Sequence, residues 1–376
     1  MKIVIDRRPI GIIVLSRSLR PIFFLAVAMT FWYLISIPTP QGLTIEGQRA
    51  IALFTVCLIF WVTGVLPLAI TSLMAIVMVP LLGVLDKKAT YALFGNEAVF
   101  FILGAFILSG AVMHSGLSSR IALIIMNRFG GTPKGLLTSI FLLAAVLSFF
   151  MSEHAVAAML FPIVLEIAKG LNLKPGRSDY AKSLFLALAW GCVIGGVATF
   201  LGGARVPLAV GMLKESTGVS IGFFEYTSAT FPVVVILLII GYLWLTSFFR
   251  PDIEDIHLAK TVFERKIKQL GKIGYTEYAV GILMLITISL WLFFSKKVGI
   301  ANIAIISVVA LFIFKLVAWK DIEEYVNWGI ILMYGGAITL GAAMEKSGAA
   351  AWLANTVIGD WANSPVLVIA VFSLLT

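Results

Sequence analysis

The chain has 376 residues, 60% of them hydrophobic and only 12% charged, with a mean hydropathy of +1.04. Soluble domains run near 45–50% apolar and about 25% charged, so a soluble enzyme is excluded. The formal charge of +9 is then read first as membrane orientation, with no call for a nucleic-acid partner.

Unbroken apolar runs, rather than alternation, exclude an outer-membrane barrel. Only helices satisfy every backbone group in lipid, so the fold class is an all-α polytopic membrane protein with room for about nine to eleven passes of roughly 20 residues. The runs fall near 21–37, 50–66, 68–85, 97–114, 135–169, 183–212, 228–249, 276–294, 299–317, 328–345 and 365–376. Basic residues before the first run resemble a signal peptide, yet no small-residue cleavage site follows, so the run stays as a span. Cys57 and Cys192 both lie in apolar segments and offer neither a disulfide framework nor a metal-ligand spacing.

With the N-terminus cytoplasmic, 20 of the 28 Lys and Arg residues fall on the inner side, which fixes the expected orientation. The segment 251–275 places Ile253, Ile256, Phe263, Ile267 and Leu270 at helical spacing among basic residues, so it is expected to lie along the inner membrane surface as a linker helix. It separates two related halves. Gly104-Ala105-Phe106-Ile107-Leu108 aligns with Gly336-Ala337-Ile338-Thr339-Leu340, Ser115-Gly116 with Ser347-Gly348, and Pro133 with Pro365, all at one offset of 232 residues. An odd number of spans lies between the copies, so they face opposite sides. Inverted repeats with interrupted helices point to a secondary transporter. The expected organisation is an N-terminal cytoplasmic segment and first span (1–46), a first repeat (47–250), the linker (251–275), and a second repeat (276–376).

Two interruptions carry the chemistry. Ser148-Phe149-Phe150-Met151-Ser152-Glu153-His154 sits between two short apolar arms, which suits a re-entrant hairpin over 135–169 with its polar tip at membrane depth; the alternative is two ordinary spans joined by a solvent-exposed turn. A Ser-Glu-His relay for hydrolysis fails, because three consecutive side chains diverge; the chain is not read as an enzyme. The second interruption, from Gly195-Gly196 through Thr199 and Gly202-Gly203 to Arg205 and Pro207, reads as a broken helix over 183–212, with Pro207 opening the new half-helix. Unwound carbonyls there can hold a cation, and the new N-terminus can hold an anion. Arg205 at this depth needs a partner, either a carboxylate or a bound anion.

With those residues in view, the stretch Phe100 to Ile167 resembles the divalent anion/sodium symporter family. The resemblance is carried by Leu103-Gly104-Ala105-Phe106, His114-Ser115-Gly116, Gly130-Gly131-Thr132-Pro133 and Met151-Ser152 through Pro162-Ile163. Asn327-Trp328-Gly329-Ile330-Ile331-Leu332 through Glu345-Lys346-Ser347-Gly348 is similar to that family's second repeat, and the likeness runs from about Gly47 to Thr376. It implies secondary transport of dicarboxylate, citrate or sulfate, usually with sodium, by elevator-like alternating access in a homodimer in the cell membrane. It calls for no organic cofactor, only sodium or a proton as coupling ion. At the offset of 232 the counterpart of Ser152 would fall at 384, beyond Thr376, so the chain reads as ending before its second hairpin tip.

The family's hairpin tip reads Ser-Asn-Thr and its Gly-rich loop Gly-Gly-x-Ala-Thr-x-x-Gly-Thr-Pro-Pro-Asn. Ser148, Ser152, Gly195, Gly196, Ala198, Thr199 and Gly202 match. Glu153 stands in place of Asn, His154 in place of Thr, and Gly203, Ala204, Arg205 and Val206 replace Thr-Pro-Pro-Asn. The resemblance assigns substrate contacts to Ser152, Glu153, His154, Gly203 and Arg205, and coupling-ion contacts to Ser148, Ser152, Glu153 and Gly202. Three roles for Glu153 stay open: an ion pair with Arg205 replacing sodium, an oxygen ligand for sodium, or a proton carrier with His154 beside it. At about 4 Å and an effective dielectric of 20, the pair is worth roughly 4 kcal/mol before desolvation is subtracted. Glu97, Glu345 and Lys346 sit at span ends and read as solvated, and His114 and His257 receive no ligand role. The alternatives are an arsenite or metal-ion permease of related architecture, and a membrane sensor or scaffold without flux.

Overall fold

The computed structural model describes residues 10–174, 176–249, 253 and 256–357. Every regular element among them is helical and none is a strand, the outcome that lipid imposes on a backbone that must satisfy its own polar groups. The chain begins with α1 (Ile10–Ser36), α2 (Ile45–Thr63), α3 (Leu68–Leu81) and α4 (Lys87–Ala92). Next come α5 (Glu97–His114), α6 (Leu117–Phe129), α7 (Pro133–Ser148), α8 (Glu153–Gly170), α9 (Asp179–Gly196) and α10 (Arg205–Thr217). Then follow α11 (Phe223–Phe248), α12 (His257–Leu270), α13 (Tyr275–Val298), α14 (Ile300–Ile313), α15 (Trp319–Ile322), α16 (Trp328–Lys346) and α17 (Ala349–Val357).

Among the described residues, five helices are long and apolar enough to cross a bilayer: Ile45–Thr63, Lys87–His114, Phe223–Phe248, Tyr275–Val298 and Trp328–Lys346. The other apolar runs are shorter as helices than as sequence. The run 68–85 stops as helix at Leu81, after Pro80, and Gly83 at φ 70° turns the chain. The run 299–317 stops at Ile313, with Lys315 in the left-handed region at φ 51°. In the other direction, α1 starts at Ile10, well before the apolar run, with Pro21 inside it. The last run, 365–376, lies outside the described residues.

Contacts divide the chain into two units, one holding α1–α4, α16 and α17, the other α5–α15. In the first, α2, α3 and α16 share a core of Leu53, Cys57, Val79, Leu340 and Met344. Helix α16 lies against α3 at Gly336, where a Cβ would come within 2.5 Å of the Ser72 Cβ, so only glycine permits that approach. In the second unit Gly104 of α5 lies against Ala304 of α14 in the same way, at 2.7 Å. The two segments that align at the offset of 232 also end alike. Gly116 and Gly348 follow α5 and α16 at φ 84° and 75°, and their N–H groups donate to Met113 O and Glu345 O at 3.1 and 2.9 Å.

The amphipathic segment forms α12, with Ile256, Val262 and Phe263 buried against the second unit and Lys260 and Lys268 exposed. Its C-terminus is held by Arg120 of α6. The Arg120 guanidinium donates to the carbonyls of Leu270, Gly271 and Lys272 at 3.2, 2.8 and 3.3 Å and grips Glu277 of α13 through Nε and Nη2 at 2.5 and 2.8 Å. Carbonyls that would otherwise be orphaned at a helix end therefore gain a cation.

Candidate functional site

Both interrupted segments form helix breaks, and the breaks meet. Helix α7 starts on a Thr132 cap with Pro133 at its first position, runs to Ser148, and gives way to residues 149–152 before α8 begins at Glu153. Helix α9 starts on a Ser178 cap and stops at Gly196, and residues 197–204 are unwound until α10. The new helix opens at Arg205, two residues before the expected Pro207. Proline then sits in the first turn, where its missing N–H has no intrahelical partner to lose.

Helices α7 and α9 pack at Gly191 and Gly195, where a Cβ would lie 2.5 Å from Phe141 O and 2.3 Å from Ala145 O. That approach brings the breaks together. The Glu153 N–H donates to Gly202 O at 2.8 Å, and Thr199 Oγ1 donates to Phe149 O at 2.7 Å, so each break supplies a partner for the other's free backbone. Gly196 and Gly202 have no room for a side chain. A Cβ at Gly196 would sit 2.4 Å from Glu153 Oε2, and one at Gly202 2.4 Å from Ser148 O. Phe200 anchors the unwound segment in an aromatic cluster, with ring centroids 6.2, 5.7 and 5.0 Å from Phe101, Phe223 and Tyr226. Tyr226 Oη and Thr230 Oγ1 of α11 donate to the freed carbonyls of Val197 and Ala198 at 2.9 and 3.2 Å.

At this junction Arg205 Nη2 donates to both Glu153 oxygens, at 2.7 and 2.8 Å. The Glu153 side chain is 10% exposed and that of Arg205 60% exposed. The guanidinium spends one nitrogen on the pair, and its other nitrogens make no hydrogen bond among the described residues. His154 Nδ1 lies 3.8 Å from Glu153 Oε1, with the ring largely exposed. Gly203 faces the guanidinium, its Cβ position 3.6 Å from Nη2. Ser148 is fully buried; its hydroxyl approaches the Cys192 thiol and finds no partner at hydrogen-bond geometry. Ser152 is buried as the N-cap of α8 and makes no capping hydrogen bond. The structure thus gathers Ser148, Glu153, Gly202, Gly203 and Arg205 at one point, with His154 at its edge.

Sequence reasoning missed the cross-ties from Thr199, Tyr226 and Thr230. Only the Thr199 match to the loop pattern signalled any of them. Glu97, read as solvated, does have an exposed side chain, and it also accepts from Lys214 Nζ at 2.7 Å, a partner that the sequence did not signal. His114 takes no part in the junction; its Nε2 lies 3.7 Å from Asp321, far along the chain from either break. His257 falls where no side chain is described.

Residues 18–376, which include both breaks, match the family model described as the sodium:sulfate symporter transmembrane region. The chain belongs to the sodium:sulfate symporter family. Two curated relatives, each a sodium-dependent dicarboxylate transporter SdcS, from Staphylococcus aureus strains bovine RF122 / ET3-1 and USA300, are 29% identical over 377 residues, which cover 93% of this chain and 71% of theirs. As a sodium:sulfate symporter family member, the protein is a multi-pass membrane transport protein and not an enzyme.

Proposed function

We propose that the protein is a secondary transporter of small divalent anions, of the dicarboxylate or sulfate class, and that the Arg205–Glu153 pair replaces one coupling cation at the junction of its two breaks. The observation that carries this reading is the pair itself. A buried carboxylate beside the unpartnered Ser148 hydroxyl and the Gly202 carbonyl is an arrangement that a cation would otherwise have to neutralise. Arg205 supplies that positive charge from the chain, and its unspent donors face outward, able to receive a substrate oxygen. Ser152, His154 and Gly203 line the approach as further substrate contacts, while Ser148 and Gly202 keep the cation-binding geometry that the pair has taken over. Inverted repeats moving by an elevator-like step, a homodimer, and a cell-membrane location with the N-terminus cytoplasmic complete the proposal.

The test is uptake of labelled succinate and sulfate by liposomes carrying the full-length protein, with sodium and pH gradients imposed separately. Divalent-anion flux is the expected result. Removing the arginine with Arg205→Ala leaves the buried Glu153 carboxylate in need of a cation, so the number of sodium ions moved per anion, read from the reversal potential, rises by one. An unchanged sodium stoichiometry in that variant sinks the replacement. A proton gained instead of sodium, seen as a new pH-gradient dependence, assigns Glu153 to proton carriage.

A further inference from the structure

A second concentration of charge lies at the other end of α10. A cavity of about 370 Å³ opens where α5, α11 and α14 begin and α13 ends. Helix α10 joins it to the junction: Arg205 is its first residue, Pro207 and Gly211 line the cavity, and Lys214 stands about 14 Å along the axis from Arg205. Three helix starts, at the caps Asn96, Gly222 and Gly299, present their positive ends here, and Lys296 carries charge at the end of α13.

The start of α14 has no side-chain cap. Gly299, at φ 90°, occupies that position, and its Cβ position lies 2.9 Å from Glu97 Oε1. The other Glu97 oxygen accepts from Lys214 Nζ. One carboxylate of the chain therefore rests between a lysine and a bare helix start, which is where a free anion would be drawn. Both partners of that ion pair are well exposed, 52% for Lys214 and 39% for Glu97, and such pairs are weak and exchangeable. An independent observation also points to a ligand. Ser295 lines the cavity, is more than nine-tenths buried, and its hydroxyl makes no hydrogen bond among the described residues. That hydroxyl keeps its donor and its acceptor for whatever enters the cavity.

We propose that this cavity is a second anion-binding site, separate from the Arg205–Glu153 junction, that takes a small dicarboxylate or an inorganic dianion, with Glu97 as a built-in competitor. The entering anion displaces the Glu97 carboxylate from Lys214 and the start of α14, accepts from Ser295, and takes its second charge partner from Lys296, which Glu225 otherwise holds. No covalent step is involved. The ligand class rests on the transport reading above; the site rests on the cavity.

The test is equilibrium binding of labelled sulfate and succinate to the full-length protein carrying Arg205→Ala, in sodium-free buffer, where the junction has neither its arginine nor a replacement cation. Retained binding is expected. Adding Glu97→Gln removes the competitor and tightens it several-fold, while adding Lys214→Ala with Lys296→Ala abolishes it. Ser295→Ala serves as the mild variant: it weakens binding a few-fold with an unchanged melting temperature. No binding in the Arg205→Ala background overturns the inference, and so does a Glu97→Gln variant that binds no better than its parent. Flux through the wild type with no cavity binding leaves the transport reading standing alone; cavity binding without wild-type flux does the reverse.

Discussion

Two arginine–glutamate pairs in the second unit have the same chemistry and opposite character. In Arg120–Glu277 both side chains are buried, at 8% and 11% exposure, and the guanidinium is fully occupied by a carboxylate and three carbonyls. In Arg205–Glu153 only the carboxylate is buried, and the guanidinium gives it one nitrogen while the rest stays open. A buried cation whose every nitrogen is already engaged by the chain holds structure. A half-used cation on a buried acid has binding capacity left, and it stands where two helix breaks expose backbone. Placement follows from this: the first pair fastens the end of α12 to α6 and α13, whereas the second lies at a junction without regular hydrogen bonding.

The sharpest way to break the comparison is Arg120→Ala. It leaves Glu277 buried without its cation and three carbonyls without a donor, which is the costly way to lose a buried pair. Several-fold less folded full-length protein is expected by size-exclusion chromatography, a larger loss than for any variant at the junction. Normal yield would mean that the apolar face of α12, through Val262 and Phe263, and the pairs of Arg265 and Lys266 with Glu166 of α8 hold it without Arg120. Next in size is Gly202→Ala. The added methyl would meet Ser148 O and the Gly196 backbone, which cannot step aside as a flexible side chain could, so a loss of roughly 1–3 kcal/mol is expected in thermal unfolding, together with loss of flux. Stability unchanged there would mean that the two breaks are less tightly apposed than described. Thr199→Val sits below it. It removes one donor to Phe149 O and one acceptor from Leu201 N, for about 1 kcal/mol, and the measurement that checks it is again the melting temperature.

Some of this was legible along the chain and some was not, for a physical reason. The breaks announce themselves locally: polar residues between Ser148 and His154, paired glycines from Gly195 to Gly203, and a helical-period apolar face around Phe263 are all signals within one turn or two. Arg205 could be matched to Glu153 because each was a lone charge in an apolar run, and a charge in lipid must find a partner. Arg120 gave no such signal. It lies in a short amphipathic helix, Glu277 is 157 residues away, and neither the period nor the composition of either segment encodes that they meet. The pairing of Glu97 with Lys214 was hidden in the same way, since an exposed charge at a span end is ordinary until the fold shows what stands beside it. Helix ends were misjudged where a single residue decides them, as at Leu81 before Gly83 and at Ile313 before Lys315, because hydropathy does not register a left-handed turn.

The smallest expected effect on stability gives the finest test of the comparison: the same conservative exchange, arginine to lysine, made at both pairs. Lysine keeps the charge but brings three donors on one atom instead of a planar fork, so it cannot serve two carboxylate oxygens and three carbonyls arranged around a guanidinium. At position 120 the exchange should therefore remain clearly destabilising. At position 205 one ammonium can replace the one nitrogen now engaged with Glu153, and the side chain is mostly exposed, so the melting curve should move by no more than about 0.5 kcal/mol. What lysine cannot replace there is the unused edge of the fork. Succinate uptake by Arg205→Lys should then show a several-fold higher KM on an equally stable protein, because the lost donors are ones that only a bound anion uses. If Arg205→Lys instead transports with the wild-type KM, the guanidinium acts as a point charge for Glu153 alone, and the substrate finds its cation elsewhere.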